Sequence, residues 1–419
     1  VAGGSPTAFR PPLYPLLLSL AVATGAERLG VAALHVLLGV GTVWLTLHLG
    51  RGLGLGRARF LAGLLVAGDP LLLQYSTYPM TETLCTFLLT LLLALACTPA
   101  DDACRPRRSV CKAFLTGVVF GLATLCRPTV WAFGGLVGAW WLWRAARGRK
   151  KLLAAPGPSG AASSGRPDAA NRGPAPAGRL REHSSPTERP PACLVATTLL
   201  VAAGVAVVVL PWAVRNKLVL GRFVVTTTHG GYTLLLGNNP VFYREVVQRP
   251  WGTVWSGESL ERWQEKLKRE WRSTSSQGEV QQDRWLYRRA WRNISEQPVL
   301  FAKACWLRVR RFWALAPQGP ARRSLPPLLV RAVWVYYLLV FLGAVVGAAR
   351  LRKRSRCLEP LLLLLVAFTL VHSLYWSNVR MRAPLVPVLS VLAAAGVAAL
   401  LRVSGVAPRA GETARQERA

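Results

Sequence analysis

Long apolar runs alternate with short charged breaks along this chain. The runs are Gly30 to Gly50, Phe60 to Tyr78, Thr81 to Cys97, Ala113 to Cys126, Thr129 to Trp143, Leu194 to Trp212, Leu328 to Ala349, Leu358 to Trp376 and Leu385 to Leu401. A helix crosses a bilayer in about 20 apolar residues, so the pattern predicts about nine spans. An earlier run, from Pro11-Pro12-Leu13-Tyr14-Pro15 to Thr24, is too short to cross and predicts an interfacial or re-entrant helix. One sizeable polar region, 213–326, interrupts the runs. Within it, residues 259–292 carry an amphipathic helical period and several Trp, the pattern of a segment that lies on the bilayer surface or roofs a site.

Charge orients these elements. Arg51, Arg57 and Arg59 follow the first span with no acid among them; Arg105, Arg107, Arg108 and Lys112 form a second basic loop; Arg350, Arg352, Lys353, Arg354 and Arg356 form a third. The positive-inside rule puts all three in the cytoplasm. The turns at 75–82, 127–128 and 377–384, and the 213–326 region, then face outward. The expected organisation is an N-terminal membrane bundle over 1–145, a disordered cytoplasmic linker over 146–192, a transmembrane helix over 193–212, the extracytoplasmic region over 213–326, C-terminal transmembrane helices over 327–402 and a disordered tail over 403–419. The linker is rich in Pro, Gly, Ala and Ser, a composition that cannot bury enough apolar surface to order itself.

Composition agrees with an all-α polytopic membrane protein: 419 residues, 52% hydrophobic, mean hydropathy +0.30. The net charge of +33 would point to nucleic acid in a soluble protein. Here cytoplasmic anchoring and anionic membrane lipids account for it better, and no nucleic-acid partner is expected. Cys85, Cys97 and Cys126 lie in apolar runs, where Cys acts as a small hydrophobe. The chain begins at Val1 and shows no signal-peptide pattern.

Candidate chemistry gathers at the outward face. Arg10, Arg127, Arg215, Arg380 and Arg382 each lie beside an apolar run there. A single Arg in that position reads as a snorkelling anchor. Five against the positive-inside trend, three of them close to Pro, read as a cavity lined by guanidinium groups suited to phosphate. Few acids face them. Asp69, before Pro70 within an apolar run, is a functional candidate by its depth or the cap of a helix break. Glu82 is a second candidate or a first-turn acid favoured by the helix dipole. Thr226-Thr227-Thr228-His229-Gly230-Gly231 and Gly237-Asn238-Asn239-Pro240 are either ordinary turns or left-handed backbone whose amides converge on a ligand.

The set resembles a known family. Phe9-Arg10-Pro11-Pro12-Leu13-Tyr14-Pro15, Asp69-Pro70 through Thr81-Glu82-Thr83, Arg127-Pro128, Arg215-Asn216, Gly230-Gly231, Gly237-Asn238-Asn239-Pro240, and His372 with Arg380-Met381-Arg382-Ala383-Pro384 stand in the order found in bacterial GT-C glycosyltransferases. These are the family 39/83 relatives of protein O-mannosyltransferases and of the aminoarabinose transferase for lipid A. The resemblance implies a GT-C-like transmembrane bundle with a large extracytoplasmic loop, in the bacterial inner membrane. It implies a polyprenyl-phosphate sugar donor and a lipid, glycan or protein acceptor. Glu82 matches the family's second-loop acid, and Arg10, Arg127, Arg215, Asn216, Gly237, Asn238, Asn239, His372, Arg380 and Arg382 match positions around the substrates. The family's catalytic carboxylate lies in its first outer loop, which would precede Val1, so a longer natural protein is expected. Some relatives use a divalent metal ion; His229 and His372 with Glu82 supply the ligand types, though no compact cluster is evident. A transporter or flippase of a lipid-linked substrate would also gather Arg at broken helices, but would favour internal repeats, and none is evident.

Overall fold

The computed structural model describes residues 6–23, 25, 27–97, 106–153, 191–274, 278–352, 355 and 357–403. Most of the 146–192 linker and nearly all of the 403–419 tail lie outside these residues. The described residues are helical with no strand. In chain order the helices are α1 (Leu13–Ala23), α2 (Glu27–Gly52), α3 (Ala58–Ala67), α4 (Pro70–Ser76), α5 (Thr81–Cys97), α6 (Pro106–Cys126), α7 (Val130–Leu153) and α8 (Pro191–Leu220). The polar region supplies α9 (Gly230–Gly237), α10 (Pro240–Phe242), α11 (Glu258–Arg272), α12 (Glu279–Glu296), α13 (Pro298–Phe312) and α14 (Pro320–Arg323). The chain closes with α15 (Pro327–Leu351), α16 (Leu358–Leu374), a 3-10 turn (Val379–Leu385) and α17 (Val386–Val403).

Five stretches are long and apolar enough to cross a membrane: Arg28–Gly52, Ser109–Cys126, Val195–Leu220, Pro327–Leu351 and Val379–Leu401. The protein is thus a multi-pass membrane protein. Helices α5 and α16, 17 residues each, reach about 26 Å, most of a hydrocarbon core of about 30 Å.

Three boundaries differ from the sequence expectation. The run Phe60 to Tyr78 is not one span but α3 and α4. Asp69 breaks it: its Oδ1 accepts hydrogen bonds from Leu71 N and Leu72 N at 2.9 Å, and Pro70 opens the new helix where its missing N–H costs nothing. The run from Leu194 does not stop at Trp212; α8 carries Pro211 in its interior and continues to Leu220. Arg215 and Asn216 therefore lie on helix, and Asn216 Nδ2 donates to Val224 O at 2.8 Å to fold the chain back beyond the helix end. Finally, α7 continues to Leu153, inside the stretch read as linker.

The buried core runs through α5, α16 and α17, with Leu89, Leu93, Leu361, Leu364 and Leu392 at its centre. Cys85 and Cys126 are buried within it as small apolar groups. Helices α15 and α17 touch backbone to backbone. A Cβ at Gly347 would overlap the Leu392 carbonyl oxygen, and one at Gly396 would overlap that of Gly343. Small residues make such approaches possible where lipid offers no hydrophobic drive to association.

The bundle has two chemically distinct ends. At one, Gly52 approaches the Cys97 carbonyl, Cys97 Sγ donates to Cys357 O at 3.8 Å, and Arg144 pairs with Glu359 at 2.8 Å. This is the end of the basic loops. At the other, α5 begins, α6 turns into α7 and the 3-10 turn precedes α17. The α9–α13 region is tied to that second end: Trp376 N, just past α16, donates to Thr233 O at 3.2 Å, and Phe242 packs edge-on against Trp376.

Candidate functional site

Three elements bring charge together at the second end. Glu82 occupies the first turn of α5. Arg127 stands between α6 and α7, where Pro128 ends the helix. Arg380 lies on the 3-10 turn, which Asn378 initiates by accepting from Arg380 N through its side chain. Arg127 Nη2 donates to Glu82 Oε1 at 2.9 Å. Arg380 Nε approaches the same oxygen at 3.0 Å, an ion pair whose N–H is not aligned for a hydrogen bond. Glu82 is only 2% exposed, against 12% for Arg127 and 27% for Arg380. The carboxylate is thus sealed and the two guanidinium groups are its more exposed neighbours.

Both methionines of the chain complete this cluster. Arg127 Nη2 contacts Met381 Sδ at 3.1 Å, and Arg380 Nη1 contacts Met80 Sδ at 3.0 Å. A thioether is a weak acceptor. It holds a guanidinium group in place while leaving its donors available to a stronger partner. Of the ten buried side-chain nitrogens and oxygens that lack a hydrogen-bond partner among the described residues, seven belong to Arg127, His372, Ser377, Arg380 and Arg382. Buried polar atoms are normally satisfied, so these are the atoms with unused hydrogen-bonding capacity at this end of the bundle. His372 offers two of them: its ring stacks on Phe312 at 5.5 Å.

Arg382 points the other way. It is fully buried, donates from Nη1 to Phe312 O at 3.1 Å and Ala314 O at 2.9 Å, and lies over the rings of Tyr337 and Phe341. Tyr337 Oη in turn donates to Asp69 at 3.1 Å. Asp69, Tyr337 and Arg382 form an internal chain that fixes the α3–α4 break, the end of α13 and the 3-10 turn to one another. Neither Asp69 nor Arg382 reaches Glu82 among the contacts of the described residues.

The Gly-Asn-Asn-Pro turn is also internal. Asn238 and Asn239 have negative φ (−139° and −141°), and only Asn239 is extended; neither is left-handed, so the expected left-handed convergence of amides does not form. Asn239 Oδ1 instead accepts from Phe242 N and its Nδ2 donates to Leu235 O and Leu236 O. Asn238 Nδ2 ties α9 to Leu374 O at the end of α16. Gly237 is there for space: a Cβ would lie 2.9 Å from Arg308 Nη1. Arg308, 1% exposed, donates to Gly237 O and Ser373 O at 2.6 Å and to Asn238 Oδ1 at 3.1 Å. Burial holds its basicity below the ordinary guanidinium value. Asn293 of the Asn293-Ile294-Ser295 sequon is spent inside, donating to Asn238 O.

The segment before α1 is strapped to the polar region. Thr7 Oγ1 and Ala8 N donate to Glu279 at 2.7 and 3.1 Å, Thr228 Oγ1 donates to the same carboxylate, and Arg215 Nη1 donates to Thr7 O. Phe9 meets the His229 ring edge-on at 4.2 Å. Arg10, exposed on this strap, acts on His229 through its charge; burial first and then Arg10 hold the imidazole down to about 4. Asp283, pushed up to about 6 by burial, accepts from Gly231 N at 2.7 Å. Tyr14 and His35 add a further internal link: His35 Nδ1 donates to Ser76 O at 2.7 Å, leaving Nε2 to accept from Tyr14 Oη at 2.9 Å.

No group of three His, Cys, Asp or Glu among the described residues could hold a metal ion. The candidate ligands are scattered: His229 is on the strap, His372 is stacked among Phe side chains, and one Glu82 oxygen is committed to two guanidinium groups.

No protein-family model matches the chain, and no curated protein matches it in sequence. Among solved structures it is similar to the archaeal oligosaccharyltransferase AglB from Archaeoglobus fulgidus, in complex with an inhibitory peptide and a dolichol-phosphate. The TM-score is 0.52 at 17% identity, over 96% of this chain. The chain spans 43% of the length of that protein. The likeness shows the fold, a GT-C-type helical membrane bundle.

Proposed function

We propose that the protein is a bacterial inner-membrane glycosyltransferase that moves a sugar from a polyprenyl-phosphate donor to a lipid, glycan or protein acceptor on the extracytoplasmic side. The observation that carries this reading is the convergence of Arg127 and Arg380 on Glu82 at the end opposite the basic loops, within the concentration of unsatisfied buried donors. Two guanidinium groups at membrane depth are poised to hold a phosphate. They would neutralise the charge that builds on it as the sugar leaves.

A cavity of about 400 Å3, lined by Trp313, Leu362, Leu365, Val366, Thr369 and Leu370, lies beside the carbonyls that Arg382 holds. Apolar and on the face of α16, it would suit an isoprenoid chain. That the structurally similar archaeal protein is solved with a dolichol-phosphate favours the same donor class. The strapped α9–α13 region would roof the site and meet the acceptor.

The test is transfer of labelled sugar from polyprenyl-phosphate donor in membranes carrying Arg127→Ala or Arg380→Ala. Both variants should insert normally and lose transfer by 100-fold or more, within the range of about 10²–10³ seen when a single charge-stabilising donor is removed. Full activity in both would end the clamp reading.

A further inference from the structure

We infer that Glu82 is a built-in competitor for the phosphate, setting the clamp to hold the loaded carrier and release the spent one; this rests on the donor-clamp reading above. Glu82 comes from α5 and meets cations from two other elements on a single oxygen, at 2.9 and 3.0 Å. It therefore occupies N–H groups that a phosphate would take. It does not saturate them: Arg127 Nη1 is buried with no partner, and Arg380 Nε is close without being aligned. The other hydrogen-bond contacts of these two side chains are to the weakly accepting sulfurs of Met381 and Met80, and Arg380 also lies over the Tyr75 ring at 6.0 Å. The arrangement leaves room for an exchange of anions.

The charges give the exchange its direction. Two guanidinium groups and one carboxylate leave one net positive charge. Asp69 and Arg382, linked through Tyr337, balance each other. A sugar joined to its carrier by a phosphodiester has one negative charge and matches the cluster. During transfer the bond from the anomeric carbon to the phosphate oxygen breaks and its electron pair stays on that oxygen. The acceptor hydroxyl oxygen bonds the anomeric carbon and gives its proton to a carboxylate base. The phosphate, now a monoester, carries about 1.5 to 2 negative charges near neutral pH. With Glu82 in place that product exceeds the available positive charge; with Glu82 neutral it would match it. The sealed carboxylate thus disfavours the spent carrier more than the loaded one. It is a positioning and release residue, separate from the base.

The experiment measures binding to the full chain in lipid nanodiscs. The probes are undecaprenyl phosphate, the product-like monoester, and its O-methyl diester, which mimics the donor's single charge. Wild type should bind the diester at least as tightly as the monoester. Glu82→Gln should bind the monoester at least about 10-fold more tightly than wild type, the order expected from removing one near-contact like charge in a partly screened site. Its affinity for the diester should change less than about 3-fold on the same argument. A gain in affinity is an outcome that damage to the fold cannot produce. If wild type binds the probes and Arg127→Ala does not, but Glu82→Gln leaves monoester binding unchanged or weaker, the release role is wrong and the clamp stands. A wild type that prefers the monoester by 10-fold or more overturns the release role without any variant. If wild type and Arg127→Ala bind both probes alike, the clamp itself is wrong.

Discussion

Arg380 and Arg382 stand two residues apart, and exchanging each for Ala should break different things. Arg382 is fully buried and donates two charge-assisted hydrogen bonds, at 3.1 and 2.9 Å, to the carbonyls of Phe312 and Ala314. Such bonds contribute about 1.5–3 kcal/mol each. Its cation lies 4.3 Å from the Tyr337 ring, a contact of about 2 kcal/mol when desolvated. Two further guanidinium nitrogens, Nε and Nη2, are buried without partners, and relief of their desolvation offsets part of that sum. Arg382→Ala should therefore cost about 3–5 kcal/mol, the range for stripping one member from a buried charged set. Arg380 is 27% exposed, and Arg127 would still neutralise Glu82 in its absence. Arg380→Ala should cost about 1 kcal/mol or less. Steric trapping in bicelles gives the two unfolding free energies, and labelled-sugar transfer in membranes gives the activities. Arg382→Ala should lose folded protein; Arg380→Ala should stay folded and lose transfer. Refutation would be Arg382→Ala as stable as wild type, or Arg380→Ala as unstable as Arg382→Ala.

Other expectations follow from the same contacts. Arg308→Met keeps volume but leaves the Gly237 and Ser373 carbonyls and Asn238 Oδ1 unpaired; it should cost about 3 kcal/mol and expose 230–312 to limited proteolysis. Gly347→Val forces a side chain into the Leu392 carbonyl and should destabilise by about 2–3 kcal/mol or more, while Gly39→Ala, with nothing within 4 Å of its Cβ and inside α2, should not destabilise and should shift the same thermal assay upward if at all. The polar region should respond to pH through two opposed groups. His229 is held down to about 4 against an ordinary 6.5, so the unfolded form takes the proton first and stability is lost as pH falls from about 6.5 toward 4. Asp283 is held up to about 6 against an ordinary 3.8, so the folded form takes the proton first and stability is gained as pH falls through 6. After correction for the base-catalysed intrinsic rate, the α9 amides of Asp283→Asn should be less protected at pH 5 than at pH 7 and those of His229→Gln more protected; the reverse order would contradict both assignments.

The sequence was most legible where the signal is local. Apolar runs located the membrane helices, because bilayer length acts residue by residue, but of the nine expected spans only five stretches are long and apolar enough to cross among the described residues. Asp69-Pro70 carried its own break, since an acid that caps and a Pro that starts a helix are readable without partners. Glu82, Arg127 and Arg380 could be grouped at one face, but their meeting at a single oxygen depends on how α5, α6 and the 3-10 turn pack. Arg382 could not be told from Arg380, because a tight turn sends neighbouring side chains in opposite directions. Gly237, Asn238 and Asn239 looked like a ligand cradle; instead Gly237 makes room for Arg308, Gly237 O and Asn238 Oδ1 accept from it, and Asn239 caps the next turn. Arg308 is one of many arginines in this region of the sequence. One signal could have found it: Ala304, Arg308 and Phe312 recur at four-residue steps, so Arg308 lies on the buried stripe of α13. Tyr337 and Glu279 offered no comparable cue, being a Tyr within an apolar helix and an acid in a helix first turn.

The most direct test is where the carrier phosphate binds. An undecaprenyl phosphate carrying a photoreactive diazirine next to its phosphate should be crosslinked in nanodiscs and the adducts mapped by mass spectrometry. Labelling is expected in 75–82, 127–131 and 377–382, and should disappear when Arg127 and Arg380 are both Ala. Labelling concentrated instead around Arg144, Cys357 and Glu359, at the opposite end of the bundle, would contradict the account.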